Sequence, residues 1–342
     1  MKIDTQITSP LGSVQVQAHR LRALGFDGAF TFEGPTDVFL PLLEAALAGG
    51  GTGDGYRGLD LYPNVAIAFP RSPLQLAHTA WDLQRVTGGR FGLGLGTQIR
   101  PHIERRYGAT WDRPVARMRE FVLATKAIFA CWQDGAPLDF QGEFTTHTLM
   151  PPLFDPGPLP WGPPPIWVGA VGPRLTEAVA QVADGLLVHP FHTEEFLRSH
   201  TLPIVAAALD RSGRDPEAFD LGIDVIVCAG RTPAEQAVAD AGVRMLLAFY
   251  GSTPAYRPVL DLHGWGDVHP VLNRLTKAGR WDVMPDLITE DMLETLSLRG
   301  TPSEVATALH ARYGAIAARV GLSFPYAADP AVVAETIAAI RR

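Results

Sequence analysis

Residues Gly88–Gly108 read GGRFGLGLGTQIRPHIERRYG. In the first half glycine alternates with larger residues, and this apolar run stops at Gly96-Thr97-Gln98. A strand with glycine at alternate positions has no side chain there, so a neighbouring element or a flat ligand can approach its backbone closely. A polar, basic segment follows directly. We interpret the stretch as a β-strand that delivers polar groups at its C-terminal end, as the strands of α/β proteins do.

Outward from this stretch, the chain alternates between segments with the composition of strands and segments with helical periodicity. Together with the glycine-containing strand at 91–95, predicted strands lie near residues 3, 28, 65, 166, 185, 221 and 319. The segment Leu221–Ala229 is a continuous apolar run, typical of a strand buried on both faces. Eight strand–helix units predict an α/β protein, a (β/α)8 TIM barrel with insertions. A doubly wound sheet is the alternative, but no G-x-G-x-x-G opens a helix after the first strand.

Two long segments interrupt the alternation. Residues 134–165 are rich in proline, and residues 250–299 contain several glycine, proline and tryptophan residues. Such compositions suit ordered excursions over a barrel mouth, or linkers. We predict a single barrel domain over residues 1–342, with the excursions at about 134–165 and 250–299 covering a cavity.

Composition argues against several classes of protein. The chain has 342 residues and a formal net charge of −7, which disfavours non-specific binding to nucleic acid or anionic membranes. No apolar run approaches the roughly 18 residues of a membrane-spanning helix, and the N-terminus lacks the apolar region of a signal peptide. Cys131 and Cys228 lie in apolar surroundings, consistent with buried free thiols in a reducing compartment. We therefore expect a cytoplasmic protein that acts on a small molecule and has no nucleic-acid or membrane partner.

Seven motifs distributed along nearly the whole chain form a recognisable set. They are AFPRSPLQLAHTAWDLQRVTGGRFGLGLGTQ at 68–98, HIERRYG at 102–108, PVARMRE at 114–120, FQGEF at 140–144, GAVGPR at 169–174, VADGLLVHPFHT at 182–193 and RGTPSEVATAL at 299–309. The set resembles the luciferase-like monooxygenase (LLM) superfamily, and in particular its branch of F420-dependent oxidoreductases. The resemblance implies a (β/α)8 barrel with insertions, which agrees with the strand count. It also implies hydride transfer, or oxygen insertion, at a flavin-type ring in the barrel mouth.

The resemblance places the phosphate of the cofactor at a turn between a strand and a helix. Coenzyme F420 is a 5-deazaflavin that carries a phosphate and an acidic tail, so it needs anion-binding groups at the rim of the barrel. Small residues at such a turn let backbone N–H groups and the helix N-terminus face a phosphate, and an arginine adds a cation. The residues expected to bind the cofactor phosphate are Gly169, Ala170, Val171, Gly172, Pro173 and Arg174.

The resemblance also places the ring of the cofactor. Gly96, Thr97 and Gln98 are expected to let the ring lie close to the backbone, while Thr97 or Gln98 hydrogen-bonds a polar edge. The step from Asn64 to Val65 aligns with the third-strand site at which this branch carries a non-prolyl cis peptide behind the ring. We therefore predict cis geometry at this step, a rare conformation for a non-proline residue.

Two residues are candidates for acid–base chemistry. Glu33 ends the second predicted strand, where the sugar-phosphate dehydrogenases of this branch carry an Asp-His pair. Here the next residue is Gly34, so the histidine is missing, which disfavours the sugar-phosphate reaction and leaves the proton donor unassigned. His189 follows a strand and is a candidate for proton transfer or substrate contact. The H-x-x-H pattern from His189 to His192 lacks the helical spacing of H-E-x-x-H, so we expect no metal site.

We expect an F420-dependent oxidoreductase that transfers a hydride between the deazaflavin coenzyme and a small organic substrate. One alternative is an FMN-dependent monooxygenase on the same fold. Another is a barrel that binds a flavin or deazaflavin without turnover. The basic segment Arg100–Arg106 either holds the acidic tail of F420 or faces water. Relatives of this type are usually dimers, so a homodimer is also expected.

Overall fold

A computed structural model describes all residues from 1 to 342. The strands are β1 Lys2–Gln6, β2 Gly28–Thr31, β3 Asp60–Pro63, β4 Ala66–Ile67, β5 Leu93–Gly96, β6 Phe140–Gln141, β7 Thr146–His147, β8 Ile166–Gly169, β9 Gly185–Val188, β10 Asp220–Ala229, β11 Leu298–Gly300 and β12 Arg319–Ser323. The α-helices are α1 Val14–Ala23, α2 Leu40–Leu47, α3 Pro73–Val86, α4 Pro114–Asp134, α5 Pro173–Val182, α6 Glu194–Phe196, α7 Leu202–Arg211, α8 Pro233–Gly251, α9 Arg257–Leu262, α10 Val268–Lys277, α11 Glu290–Leu296, α12 Pro302–Tyr313 and α13 Pro330–Ile340. None of these helices is both long and apolar enough to span a membrane.

The main sheet is parallel and almost closes into a barrel. Its strand order is β3-β2-β1-β12-β10-β9-β8-β5-β4, and a parallel bridge between Leu61 and Phe91 joins β3 to the chain just before β5. Strands β3 and β4 together fill one position, so the barrel has eight positions with helices packed outside. Completely buried side chains such as Leu93, Ile166 and Val320 fill the layer between strands and helices. The predicted (β/α)8 TIM barrel is confirmed.

The third barrel position differs from its prediction. We expected one strand over Val65–Phe69. In the structure this position is formed by β3, a break of two residues, and then β4. The sequence obscured β3, because Asp60 at its start is polar and Pro63 at its end lacks a backbone donor and usually signals a turn. The short strand β11, which pairs with the C-terminal end of β10, was not predicted either.

The alternating glycines of β5 accommodate neighbouring parts of the barrel. A Cβ atom on Gly94 would lie 1.9 Å from the carbonyl oxygen of Pro63. A Cβ on Gly92 would lie 2.4 Å from the Trp167 ring, and one on Gly96 would lie 2.4 Å from Cγ2 of Val65. The sequence left open whether a neighbouring element or a flat ligand approaches these glycines. The structure shows a neighbouring element at all three positions.

Gly94→Ala is therefore expected to destabilise the fold. The obstructing atom is a backbone oxygen held in the barrel wall, so neither strand can yield without disturbing its hydrogen bonds. We expect a loss of about 1–3 kcal/mol in the free energy of unfolding, the usual cost of overpacking. Urea unfolding followed by circular dichroism measures it. Gly55→Ala is the matched control, since its Cβ meets nothing within 4 Å; equal losses in the two variants would contradict the prediction.

The two excursions lie in different places. The segment after α8 forms α9, α10 and α11 and packs in a separate apolar cluster that includes Phe191, Val243, Leu260, Leu272 and Met292. Residues 134–165 contain the hairpin of β6 and β7 and run along α3 and α4. There the Trp81 ring nitrogen donates to the carbonyl of Gly157 at 3.1 Å, and the Gln133 amide donates to the carbonyl of Leu159 at 3.1 Å.

A buried ion network occupies the N-terminal end of the barrel. The guanidinium of Arg319 lies 3.0 Å from an Asp4 oxygen and 3.1 Å from an Asp60 oxygen. The same guanidinium lies against the rings of Tyr62 and Trp167, at 4.7 and 4.9 Å from their centroids. Paired carboxylates and flat aromatic faces are the partners that make a buried arginine tolerable. The network closes the end of the barrel opposite the strand C-termini.

Candidate functional site

The carboxyl ends of the barrel strands surround a cavity of about 670 Å³. This volume is within the range of small-molecule sites, and its place at the C-terminal face is where barrel enzymes carry their sites. Most of the lining is apolar, and it contains no lysine or arginine. Residues 250–256, at the end of α8 and just after it, contribute to the lining, but no residue of 134–165 does. The expectation that both excursions cover the cavity is thus wrong for the first, which follows the outer helices instead.

Most of the residues predicted from the sequence come together in this cavity. Pro173 and Arg174 lie just beyond the lining, at the start of α5, and Glu33 does not line the cavity. The predicted residues that do line it are Asn64, Val65, Gly96, Thr97, Gln98, Gly169, Ala170, Val171, Gly172 and His189.

The floor of the cavity is spanned by one side-chain hydrogen bond. The Nδ2 atom of Asn64, between β3 and β4, donates to Oδ2 of Asp224, in the middle of β10, at 2.8 Å. These strands are four positions apart in an eight-position barrel, so the bond crosses the interior. The peptide from Asn64 to Val65 is cis, which confirms the prediction made from the resemblance.

Asp224 has a strongly perturbed carboxyl group. Its pKa is raised to about 8, because burial and the nearby Asp4 carboxyl raise it more than the hydrogen bond from Asn64 lowers it. Asp4 and Asp224 pair with the same residue of β12, Gly321, from opposite sides. A Cβ on Gly321 would lie 2.2 Å from Oδ1 of Asp224, so this glycine makes room for the carboxyl. Near neutral pH, Asp224 is therefore mainly a neutral acid.

Asp224 was not predicted from the sequence. It is the single carboxylate inside the otherwise apolar run Leu221–Ala229. A usable signal was present, because an acidic residue is almost never buried in a two-sided core strand without a partner. An aspartate in the middle of such a strand is therefore a candidate for a site.

The ionisation of Asp224 predicts a pH dependence of stability. Its pKa is raised from an ordinary 3.8 to about 8 in the folded chain. The contribution of this group to the free energy of unfolding is complete below its pKa in the unfolded chain. It falls by about 1.4 kcal/mol per pH unit above that value, and it is lost as pH rises through the pKa in the folded chain. Asp224→Asn removes this slope. In urea unfolding we expect the variant to match the wild-type chain near pH 4 and to exceed it near pH 9.

Asp4, whose pKa burial raises to about 6, contributes a slope of its own in both chains. The prediction therefore concerns the difference in the free energy of unfolding between the wild-type chain and Asp224→Asn at each pH. A difference in stability that stays constant from acid to alkaline pH would contradict the prediction.

His189 lies in an aromatic wall of the cavity. Its ring stacks on Tyr256 with centroids 4.4 Å apart and meets the edge of Tyr250 at 4.6 Å. Burial, together with a smaller effect of His192, lowers its pKa to about 3. The Nδ1 atom accepts a hydrogen bond from the backbone N–H of Phe191 at 3.1 Å. His189 is consequently a neutral imidazole that can donate through Nε2, but it is no imidazolium acid near neutral pH.

Glu33 has a full set of partners outside the cavity. Its two oxygens accept from the two terminal nitrogens of Arg71, each at 2.7 Å, and one of them also accepts from the backbone N–H of Ile67 at 2.8 Å. Its side chain is only 8% exposed. The arginine is 38 positions further along the chain, which is why the sequence did not reveal the pairing. A catalytic role for Glu33 stays a prediction.

The turn before α5 has the properties of an anion site. Gly172 is the N-cap of the helix and has no side chain with which to cap it. A Cβ on Gly172 would meet nothing within 4 Å, so the backbone there is open to approach. Arg174 is exposed and takes part in no ion pair. Exposed N–H groups at a helix start, together with an unpaired cation, favour a phosphate.

Next to it on the same rim, the turn after β5 has an unusual backbone conformation. Gln98 has φ of 58°, a left-handed conformation uncommon for a residue with a side chain. Its side-chain oxygen accepts from the backbone N–H of Ile99 at 3.0 Å. The Thr97 hydroxyl donates to the carbonyl of Gln98 at 3.1 Å. Strained residues of this kind cluster at ligand sites, and both side chains line the cavity.

The basic segment Arg100–Arg106 lies outside the cavity lining. Arg100 pairs with Glu104 at 2.9 Å, and Arg106 donates to the carbonyl of Gly34 at 2.8 Å. Arg105 is exposed and forms no ion pair. Binding of an acidic tail by this segment stays a prediction.

Comparisons with known proteins agree with this geometry. A model of the family described as luciferase-like monooxygenase matches residues 3–319. An uncharacterised protein of Mycobacterium tuberculosis is 45% identical over 320 residues, which are 94% of this chain and 92% of that protein. The 5,10-methylenetetrahydromethanopterin reductase of Archaeoglobus fulgidus is 28% identical over 256 residues, 73% of this chain and 72% of that one. Among solved structures, the coenzyme F420 dependent tetrahydromethanopterin reductase from Methanopyrus kandleri is similar with a TM-score of 0.76 and 18% identity, covering 98% of this chain and 96% of the other.

Proposed function

Because the chain belongs to the luciferase-like monooxygenase family, we propose that it is an F420-dependent oxidoreductase that transfers a hydride to or from a small organic substrate. One observation carries the proposal: the ring-side turn after β5 and the phosphate-side turn before α5 border one cavity. The two turns follow strands that pair directly, Leu95 facing Val168. They are therefore adjacent on the rim, as one elongated cofactor requires.

The residues present fit such a cofactor. The α5 N-terminus and Arg174 would bind its phosphate, and the backbone at Gly96, Thr97 and Gln98 would lie along its ring. Asn64 and Val65 would support the ring from the barrel side. When bound, the cofactor supplies two-electron hydride chemistry, so the chain supplies binding, orientation and the handling of protons.

The lining also bears on the substrate. Without a lysine or arginine in the cavity wall, a charged phosphate on the substrate would have no counter-ion there. The apolar lining and the wall of His189, Tyr250 and Tyr256 favour an uncharged, largely apolar compound. Similarity to the two tetrahydromethanopterin reductases supports reduction of the substrate, with the hydride added to one of its carbon atoms.

Direct titration tests the cofactor. We expect F420 to quench tryptophan fluorescence on binding, and reduced F420 to be oxidised with an uncharged ketone such as acetone, cyclohexanone or acetophenone. Binding of FMN together with oxygen consumption would replace the proposal by a monooxygenase. Binding without turnover of any of these probes would favour a carrier or sensor. If neither cofactor binds below roughly 100 µM, an affinity near −5.5 kcal/mol, both enzymatic assignments are wrong.

Arg174→Gln is expected to weaken F420 binding about tenfold, the effect of losing one charge-assisted hydrogen bond. The loss should shrink as salt is added, because the arginine is exposed. Fluorescence titration at low and high salt measures both. Arg211→Gln is the matched control, since Arg211 is exposed on α7 and pairs with Glu177. Equal affinities for F420 in the two variants would place the cofactor phosphate elsewhere.

A further inference from the structure

Asp224 is the only carboxyl group that lines the cavity. The other titratable side chains in the lining are His189, Tyr250 and Tyr256. His189 is neutral, and burial raises the pKa of Tyr250 to about 12 and that of Tyr256 higher still. None of these three groups readily releases a proton near neutral pH. The cavity therefore contains one acid, at its floor.

The surroundings of Asp224 favour its protonated form. The groups that face it are Asn64, Asp4 of β1, Tyr62 of β3 and Tyr250 of α8. The nearest buried cation, Arg319 of β12, pairs with Asp4 and Asp60 and forms no ion pair with Asp224. A carboxyl neighbour and the lack of a cation of its own both favour the protonated form of a carboxyl group.

The hydrogen bond to Asn64 fixes which oxygen carries the proton. Oδ2 accepts from the amide of Asn64 at 2.8 Å, so the acidic hydrogen is on Oδ1. Oδ1 occupies the space that Gly321 leaves free on β12. The carboxyl is thus held by a partner from the opposite side of the barrel, and its acidic oxygen lies in a space that Gly321 leaves open and the ring of Phe30 borders.

We propose that Asp224 is the proton donor of this cavity. The proposal rests on the function proposed above. In the reducing direction, a hydride forms a new C–H bond at the substrate carbon, and the electron pair of the C=O or C=N double bond moves to the heteroatom. The heteroatom takes the proton of Asp224, which is left as a carboxylate, and the carrier is oxidised by two electrons. Water entering the emptied cavity returns the proton; in the oxidising direction the same carboxylate accepts it.

Chemical labelling tests this without turnover. Dicyclohexylcarbodiimide is apolar and adds to protonated carboxyl groups, so it marks a neutral acid that an apolar cavity exposes. Peptide mapping by mass spectrometry of the wild-type chain should find Asp224 labelled at about pH 6 and almost unlabelled at about pH 10, on either side of its raised pKa. F420 should protect Asp224 from the reagent. Asp224→Asn should abolish the label in that peptide, whereas Asp220→Asn, at the far end of the same strand, should keep it.

Each outcome decides between the possibilities. Absence of the label at about pH 6, or equal labelling at both pH values, overturns the proposal, because the carboxyl is then inaccessible or does not titrate in this range. Labelling that F420 does not protect, although F420 binds, also overturns it, since the acid then lies away from the reacting centre. Labelling in a chain that binds no F420 overturns the proposed function and with it the donor role, while the ionisation of Asp224 stands.

Discussion

Replacing Asp224 with asparagine is expected to slow the F420-dependent reduction of the ketone probe by a factor of about 10²–10⁴, the usual contribution of a general acid. Asparagine keeps an oxygen that can accept the amide hydrogen of Asn64, so the floor of the cavity should keep its shape. It has no acidic proton to give. Oxidation of reduced F420, followed by its absorbance under steady-state conditions, measures the rate, and fluorescence titration should find F420 affinity close to that of the wild-type chain.

The pH profile separates proton donation from a merely structural role. In the wild-type chain, kcat for reduction should fall as pH rises through about 8, because the neutral acid is the active form. The profile of Asp224→Asn should be flat in this range. Asp220→Asn, which retains an oxygen for the ring nitrogen of Trp167, should behave as the wild-type chain does. A wild-type rate in Asp224→Asn would contradict the prediction, whatever the pH.

Replacing Arg319 with methionine is expected to cost about 3–5 kcal/mol in the free energy of unfolding, the penalty of leaving buried charges without their partner. Arg319 is 5% exposed and neutralises Asp4, which is completely buried. It also packs against the rings of Tyr62 and Trp167. Urea unfolding at neutral pH measures the loss, and the variant should partly recover at acid pH, where Asp4 is protonated.

Two comparisons test the cause of that loss. The double variant Asp4→Asn/Arg319→Met should be more stable than Arg319→Met alone, since it removes the charge that the single variant leaves unpaired. Arg280→Gln breaks only an exposed ion pair with Asp282 and should leave the unfolding curve unchanged. A double variant as unstable as the single one would show that packing against the aromatic rings, and not the buried charge, explains the loss.

Local patterns in the sequence were sufficient for most of the barrel. Periodicity alone located seven of the eight barrel positions closely, from β1 to β12, because the spacing of apolar residues in each element indicates its buried face. The prediction for the third position was wrong, because residues Asp60 to Pro63 form a strand only by pairing with neighbouring strands. The fold class was predictable, since repeated alternation of strand and helix leaves few arrangements that bury every apolar face.

The candidate site was predictable where its residues are neighbours in the chain. The turns at Gly96–Gln98 and Gly169–Arg174 follow strand ends, and strand ends meet at one rim of a parallel barrel. The role of Glu33 was not predictable, because its pairing with Arg71 depends on a residue from another unit. Asp224 was missed for the same reason: its neighbours in the sequence are apolar, and its hydrogen-bond partner is 160 positions away.

By itself, the sequence determined seven of the eight barrel positions, the turns at the rim and the family, all of which depend on local spacing or on motifs. The alternating glycines of β5 were visible in the sequence, but only the closed barrel decided that Pro63, Val65 and Trp167 fill the space they leave. The closed barrel also brought Asn64 across to Asp224 and enclosed that carboxyl. The physical reason is that a pKa depends on solvent, charge and hydrogen bonds in three dimensions, and a chain acquires these only when distant segments meet.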